Sequence, residues 1–214
     1  MLTLELFTDA RQILAPVINK TPLVYSRHYT KLTGNQVYFK PENLQLTGAY
    51  KVRGAFVKLA RLPAEQKKRG LITASAGNHA QGVALAAQLQ KLKATIVMPT
   101  TTPLVKVNNT KAYGATVVLF GENYDEACEH AYDLAREKGM TFVHPFNDLD
   151  VASGQGTQAF EILAELPDVD AIILPIGGGG LAAGVATLAK MLKPEIEIIG
   201  VEPAGAASMK LSIE

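Results

Sequence analysis

The sequence has no tryptophan, one cysteine and four histidines, and its 21 basic residues against 20 acidic ones leave a formal charge of only +1. Each shortage closes off a class. With a single cysteine there is no intrachain disulfide, and Cys128, in "YDEACEHAYDL", is expected to behave as a small buried hydrophobe. A near-neutral chain has no overall field to gather nucleic acid or an anionic membrane, so the expected partner is a small molecule. No uninterrupted apolar run approaches the roughly 18 residues of a membrane span. The opening "MLTLELFTDARQ" meets its acids too early for the apolar stretch of a signal peptide, which places the chain in the cytoplasm. His28, His79, His130 and His144 show no metal-ligand spacing better than Glu126 with His130, a helical pair that ordinarily faces water, so no metal is expected. Neither Ser75 nor Ser153 lies in a G-x-S-x-G elbow, which leaves a serine hydrolase little support. There is no repeat, no low-complexity tract and no Ser/Gly/Pro-rich linker, so any division of these 214 residues into domains is made without a flexible tether.

What is present is a rhythm. Short apolar β-rich runs, "TPLVYS", "QVYFK", "LITAS", "ATIVMP", "ATVVLFG", "TFVHP", "AIILPIG" and "EIIGVE", are predicted strands. Between most of them lie segments of helical periodicity: "NHAQGVALAAQLQKL", "PLVKVNNTKAYG", "NYDEACEHAYDLAREKG", "SGQGTQAFEILAEL" and "GGLAAGVATLAKML". An opening helix precedes them, and another is predicted from about Ala49 to Leu62 with Val52, Ala55, Phe56 and Leu59 on one face. Continuously apolar strands joined by helices predict an α/β fold with doubly wound parallel sheets, whose ligands sit at the carboxyl ends of the strands.

Two strand ends carry unusual loops. In "TASAGNHAQG", Ser75, Ala76, Gly77, Asn78 and His79 lead from a strand straight into a helix. Asn78 is a candidate N-cap. The small residues also leave amide groups free to receive an anion such as a carboxylate at the positive helix end. In "LPIGGGGLAAG", Gly177, Gly178, Gly179 and Gly180 again stand between a strand and a helix. Four consecutive glycines forfeit conformational entropy, which points to a backbone that must approach a guest closely, and phosphate is the natural one. A second reading stays open here. Gly177, Gly179 and Ala182 satisfy a G-x-G-x-x-A dinucleotide pattern, and Glu202 lies where a ribose-binding acid would, as in a nicotinamide-dependent oxidoreductase or a plain nucleotide-binding module.

The dinucleotide reading assigns nothing to "TGAYKVRGAF", which puts Lys51 and Arg53 in the first turn of a predicted helix, the end that disfavours cations. A lysine beside two anion-binding loops has a use as a Schiff-base nucleophile. Positive surroundings and desolvation both lower an ammonium pKa, leaving a neutral amine that condenses with an aldehyde. Pyridoxal phosphate carries an aldehyde and a phosphate together.

Taken in order, "TGAYKVRGAF", "TASAGNHAQGVA", "SGQGT" and "PIGGGGLAAGV" resemble the fold-type II pyridoxal-phosphate enzymes of the tryptophan synthase beta-like fold, with the threonine dehydratases (threonine ammonia-lyases) the closest likeness. The resemblance runs from about Thr21 to the final residues. It implies a Schiff base on Lys51, Tyr50 close to the cofactor, Asn78 on the ring hydroxyl, Gly177 to Gly180 with Leu181 around the phosphate, and Ser75 to His79 on the substrate carboxylate. It implies deamination of threonine, and of serine, by α,β-elimination in amino-acid (isoleucine) biosynthesis, in a homo-oligomer. It also implies a small domain, 54–145, inserted into a large one, 1–53 with 146–214. Relatives commonly have Ser and Phe where this chain has Ala49 and Tyr50, and serine racemases, the alternative within the family, have serine where Ala76 stands. Its absence favours elimination. Asp148 matches an acidic position near the site in some relatives, although an acidic loop residue is ordinarily solvated. Glu202 followed by Ser208 lacks the second acid of a racemase-type metal site. Family members continue beyond the equivalent of Glu214, so a truncated chain is expected, with weak or no activity on its own.

Overall fold

The computed structural model describes residues 1–214. The chain opens with α1 (Leu4–Leu14), capped by Thr3, whose hydroxyl accepts from the Leu6 amide, and burying Phe7, Ala10 and Leu14 on one face. The first two predicted strands form an antiparallel pair, β1 (Val24–Tyr25) and β2 (Tyr38–Phe39). Between them runs α2 (Arg27–Thr33), unforeseen, although Ser26 as cap and Gly34 in the left-handed region (φ 76°) are both present to mark it. Then follow α3 (Lys51–Arg61), the short α4 (Ala64–Lys68), β3 (Leu71–Ala74), α5 (Asn78–Leu89), β4 (Ala94–Met98), α6 (Leu104–Ala112), β5 (Thr116–Leu119), α7 (Tyr124–Lys138) and β6 (Thr141–Phe142). The last third holds α8 (Leu149–Gly156), α9 (Gln158–Glu165), β7 (Ala171–Pro175), α10 (Gly180–Leu192), β8 (Glu197–Val201) and α11 (Ser208–Ile213). The predicted helix at "SGQGT" starts four residues earlier, because Asp148 caps it, and breaks in two at Thr157.

β3 to β6 form one parallel sheet in the order β5-β4-β3-β6, and β7 and β8 form a second parallel pair. The order of the first sheet decides where a ligand goes. From β3 the chain winds outward to β4 and β5, then returns to place β6 on the other side of β3, so the topological switch point lies between β3 and β6. Loops leaving the carboxyl ends of those two strands diverge and leave a crevice. They are Ser75–His79 and Val143–Phe146.

Burial explains how the two sheets are joined. One face of the larger sheet packs Leu71, Ile96 and Met98 against Val83 and Ala84 of α5 and Ala55 and Leu59 of α3. The other face sets Ile72, Ala74 and Val97 on Ala127 and Ala131 of α7. Cys128 beside them is only half-buried, so the expectation of a fully buried thiol is corrected. A second core joins Phe7, Ala152, Ala159, Ile172, Leu174, Val185 and Leu188. Helix α3 belongs to both regions, because Val57 faces Ala10 and Leu14 of α1 while Ala55 and Leu59 face α5. The single apolar face predicted for it is therefore replaced by burial on opposite sides.

Glycines set the closest helix approaches. A Cβ on Gly184 of α10 would stand 2.1 Å from the Ala152 carbonyl oxygen and 2.8 Å from the Gly156 amide nitrogen of α8. Helix propensity alone rewards alanine over glycine by about 1 kcal/mol. Backbone atoms cannot swing aside, so Gly184→Ala is expected to be net destabilising by about 1–3 kcal/mol through overpacking. Urea denaturation checks the sign, since a stabilised variant would mean that the helices part freely.

Candidate active site

The first turn of α3 has no side-chain cap and no acidic residue, yet it carries Lys51 and Arg53. Their surroundings resolve the misfit differently. The Lys51 amine donates to the carbonyl oxygen of Pro145 at 3.1 Å and lies 5.5 Å from the centroid of the Tyr50 ring. Burial removes solvent from it and lowers its pKa below the ordinary lysine value, favouring the neutral, nucleophilic amine. Desolvation is the cause, so the positive surroundings expected from the sequence are not needed. Tyr50 shares the burial, which raises its phenol pKa.

Lys51 opens into a cavity of about 200 Å³ shared with Tyr50, Phe146 and the loop Gly177 to Leu181. From Gly177 to Ala182 no amide donates a hydrogen bond within the chain; the first to do so is Ala183, to the Gly179 carbonyl. Gly179 has φ 84°, a conformation glycine alone adopts cheaply, and it turns the loop into α10. The result is a run of unpaired donors at a helix N-terminus, the arrangement that binds anions. Phe146 packs on this loop so closely that a Cβ on Gly178 would fall 2.2 Å from its ring.

On the other side of Lys51, Gly82 of α5 lies against the lysine's own backbone, where a Cβ would meet the Lys51 carbonyl carbon at 3.1 Å. This contact brings the loop that opens α5 to the same place. The amides of Ala76, Asn78, His79 and Ala80 have no acceptor in the chain, while the Gly77 amide donates to the Ser75 hydroxyl at 3.2 Å. Asn78 is not the N-cap. Gly77 holds that position without a side-chain bond, and Asn78 is exposed as the first helical residue with its amide group uncommitted.

Residues 14–214 match the family described as "Pyridoxal-phosphate dependent enzyme". The chain belongs to that family. An L-threonine ammonia-lyase of Thermotoga maritima is 48% identical over 213 residues, which is 100% of this chain and 53% of that protein. A catabolic L-threonine dehydratase of Staphylococcus aureus is 50% identical over 195 residues, 91% of this chain and 56% of its own length. The processed form of threonine deaminase isoform 2 from Solanum lycopersicum superposes with a TM-score of 0.91 at 46% identity, covering 98% of this chain and 59% of that one. Maize serine racemase gives 0.93 at 38%, covering 98% and 65%. The chain spans about half the length of the curated relatives it matches.

The fold-type II expectation is borne out, and the dinucleotide alternative is not. Glu202, its candidate ribose ligand, is occupied in capping α11, accepting from the amides of Met209 and Lys210 at 2.9 Å each. The geometry suits the family's cofactor: a part-buried amine for an aldehyde, and unpaired amides across the cavity for a phosphate. Asp148, expected to be solvated, instead caps α8 and pairs with Lys58 at 2.7 Å. Sequence reasoning missed the turn His144 to Asn147. Its Pro145 carbonyl holds Lys51, and its His144 Nδ1 accepts from the amides of Asn147 at 2.8 Å and Phe146 at 3.3 Å. The proline and histidine directly after a short strand are the signal that was available.

His79 is buried, with Nε2 3.3 Å from the Val143 carbonyl and no partner for Nδ1. A carbonyl only accepts, so Nε2 carries the proton. Burial, helped by Lys51, lowers the pKa to about 3. The unfolded histidine binds a proton near its ordinary value and the folded one does not, so this site loses stability as pH falls from about 6.5 toward 3. Between pH 7 and pH 5 the loss is expected to be ~2 kcal/mol. Urea midpoints of the native chain and of His79→Gln at both pH values check it; equal losses in the two would show that His79 does not titrate this way.

Proposed function

We propose that this chain forms the cofactor-binding part of a threonine ammonia-lyase, which converts L-threonine to 2-oxobutanoate and ammonia, and L-serine to pyruvate and ammonia. The observation that carries this reading is a part-buried amine, Lys51, opening into a cavity and flanked by two runs of unpaired amides at helix N-termini. Pyridoxal phosphate, when bound, supplies an aldehyde for that amine and a ring that takes up the electrons released as the α-proton and β-hydroxyl depart. Lys51 Nζ, its pKa lowered by burial, is the base that takes the α-proton, and the Pro145 carbonyl orients its hydrogens. Amides from Gly177 to Leu181 would hold the cofactor's phosphate. Those of Ala76, Asn78 and His79 would receive the substrate carboxylate, and the exposed, uncommitted Asn78 side chain would serve the ring hydroxyl. Tyr50 and Phe146 wall the cavity and limit water. Ala76 offers no hydroxyl for proton transfer on the face opposite Lys51, which favours elimination over racemisation.

The same reading divides the chain into an inserted small domain, 54–145, built on the four-stranded sheet, and a large one, 1–53 with 146–214, built on β7 and β8. It includes self-association, which the exposure of Ile173 and Val201 on β7 and β8 supports, and a cytoplasmic setting. No helix is long and apolar enough to cross a membrane. Adding pyridoxal phosphate and threonine and assaying 2-oxobutanoate and ammonia tests the proposal. Cofactor-dependent product supports it. Tight nicotinamide-dinucleotide binding with no cofactor-dependent product contradicts it.

A further inference from the structure

Arg53 is the largest fully buried side chain of the protein, and the chemistry proposed for Lys51 does not use it. All five of its N–H donors are taken. Nε and Nη2 reach the two oxygens of Glu42 at 2.8 Å each, Nη1 and Nη2 reach those of Glu161 at 2.5 and 3.0 Å, and Nη1 also donates to the Thr157 hydroxyl at 3.3 Å. Lys40 pairs with Glu161 at 2.5 Å, and Thr21 donates to Glu42 at 2.6 Å. Two cations and two carboxylates thus form a charge-balanced cluster that ties the Thr21–Glu42 segment and α9 to the first turn of α3.

Such a cluster is a poor device for stability alone, since buried ion networks are often matched or exceeded by apolar packing of the same volume. It is a good device for geometry. A helix advances about 100° per residue, so positions two apart point roughly 200° apart. A clamp on Arg53 therefore fixes Lys51 on the opposite side, toward the cavity, in a turn that has neither a cap nor an acid to hold it. Gly82 closes on the Lys51 backbone from α5, so the turn is held from two directions.

We propose that Arg53, clamped by Glu42 and Glu161, is a positioning residue that sets the rotation of the first turn of α3 and so aims the Lys51 amine into the cavity. This rests on Lys51 being the cofactor-binding amine. Because the cluster carries no net charge, it does so without an electrostatic pull that would favour the ammonium form of Lys51.

The test uses two variants. Arg53→Lys keeps the charge but lacks the rigid fork. The quadruple variant Lys40→Met, Glu42→Gln, Arg53→Met, Glu161→Gln removes every charge of the cluster and guards against an unfolded single variant. Folded protein, verified by circular dichroism, is treated with pyridoxal phosphate, reduced with borohydride and mapped by peptide mass spectrometry. In parallel, Lys51 acetylation is followed against pH without cofactor. In the native chain Lys51 is the principal labelled lysine and titrates below an ordinary lysine. In both folded variants labelling of Lys51 is expected to fall ~10-fold or more, with its acetylation profile moving up toward an ordinary lysine. A purely structural role would shift the urea midpoint and leave labelling and pH profile unchanged, and that result would overturn the proposal. If Lys51 is not labelled in the native chain, the assignment of Lys51 itself fails, and this proposal with it.

Discussion

Lys51→Ala is expected to abolish the pyridoxal-phosphate absorption band of the chain and to lower any threonine deamination by at least about 10³-fold. The size follows from two functions lost at one atom. The amine anchors the cofactor covalently, and it is the base for the α-proton, a role that by itself is commonly worth 10²–10⁴-fold. No neighbour replaces it. Tyr50 has its pKa raised by burial, away from the range of a useful base near neutrality. His79 is committed through Nε2 to the Val143 carbonyl. Folding should be unaffected, because the one hydrogen bond of the Lys51 side chain goes to the Pro145 carbonyl at the edge of the cavity. Difference spectra with added cofactor and a coupled 2-oxobutanoate assay check both effects. A variant that keeps the band would assign the aldehyde to another lysine.

Arg53→Met is expected to cost about 3–5 kcal/mol of stability, the range for removing one partner from a buried ion pair. Two carboxylates, Glu42 and Glu161, would lose their bidentate partner, leaving Lys40 alone to balance them. Burial alone would raise the pKa of Glu161, and Arg53 with Lys40 holds it below the usual carboxylate value, so loss of Arg53 raises that pKa and eases part of the cost. The pH dependence weakens accordingly. In the native chain the depressed Glu161 contributes stability that is present above the ordinary carboxylate range and is lost as pH falls through its folded value. In Arg53→Met that contribution disappears, and lowering pH from neutrality should narrow the gap between the two proteins. Urea denaturation at several pH values measures it. A loss under about 1 kcal/mol at neutral pH would place the cluster among ion pairs that contribute little.

The two functional loops and the lysine were legible in the sequence because their signals are local. A run of four glycines, a small-residue loop ahead of a helical period, and a cation at the wrong helix end are each contained within about ten residues. The β/α alternation was legible for the same reason. Arg53 was not, because its partners Glu42 and Glu161 are 11 and 108 residues away, and only the tertiary fold shows that an apparently misplaced charge is neutralised. The double burial of α3 was hidden likewise: its apolar residues read as one stripe until α1 and α5 are seen to cover opposite sides. Asn78 misled because a good capping residue stood one position too late. Asp148 misled because its partner Lys58 lies on another element.

The central claim is that one amine and one phosphate cradle face each other across the same cavity. A crystal structure of the chain grown with pyridoxal phosphate tests it most directly. The account predicts density continuous from Lys51 Nζ to the cofactor, with the phosphate oxygens within hydrogen-bonding distance of amides between Gly177 and Leu181. Cofactor attached to a different lysine, or a phosphate seated away from that loop, would contradict it.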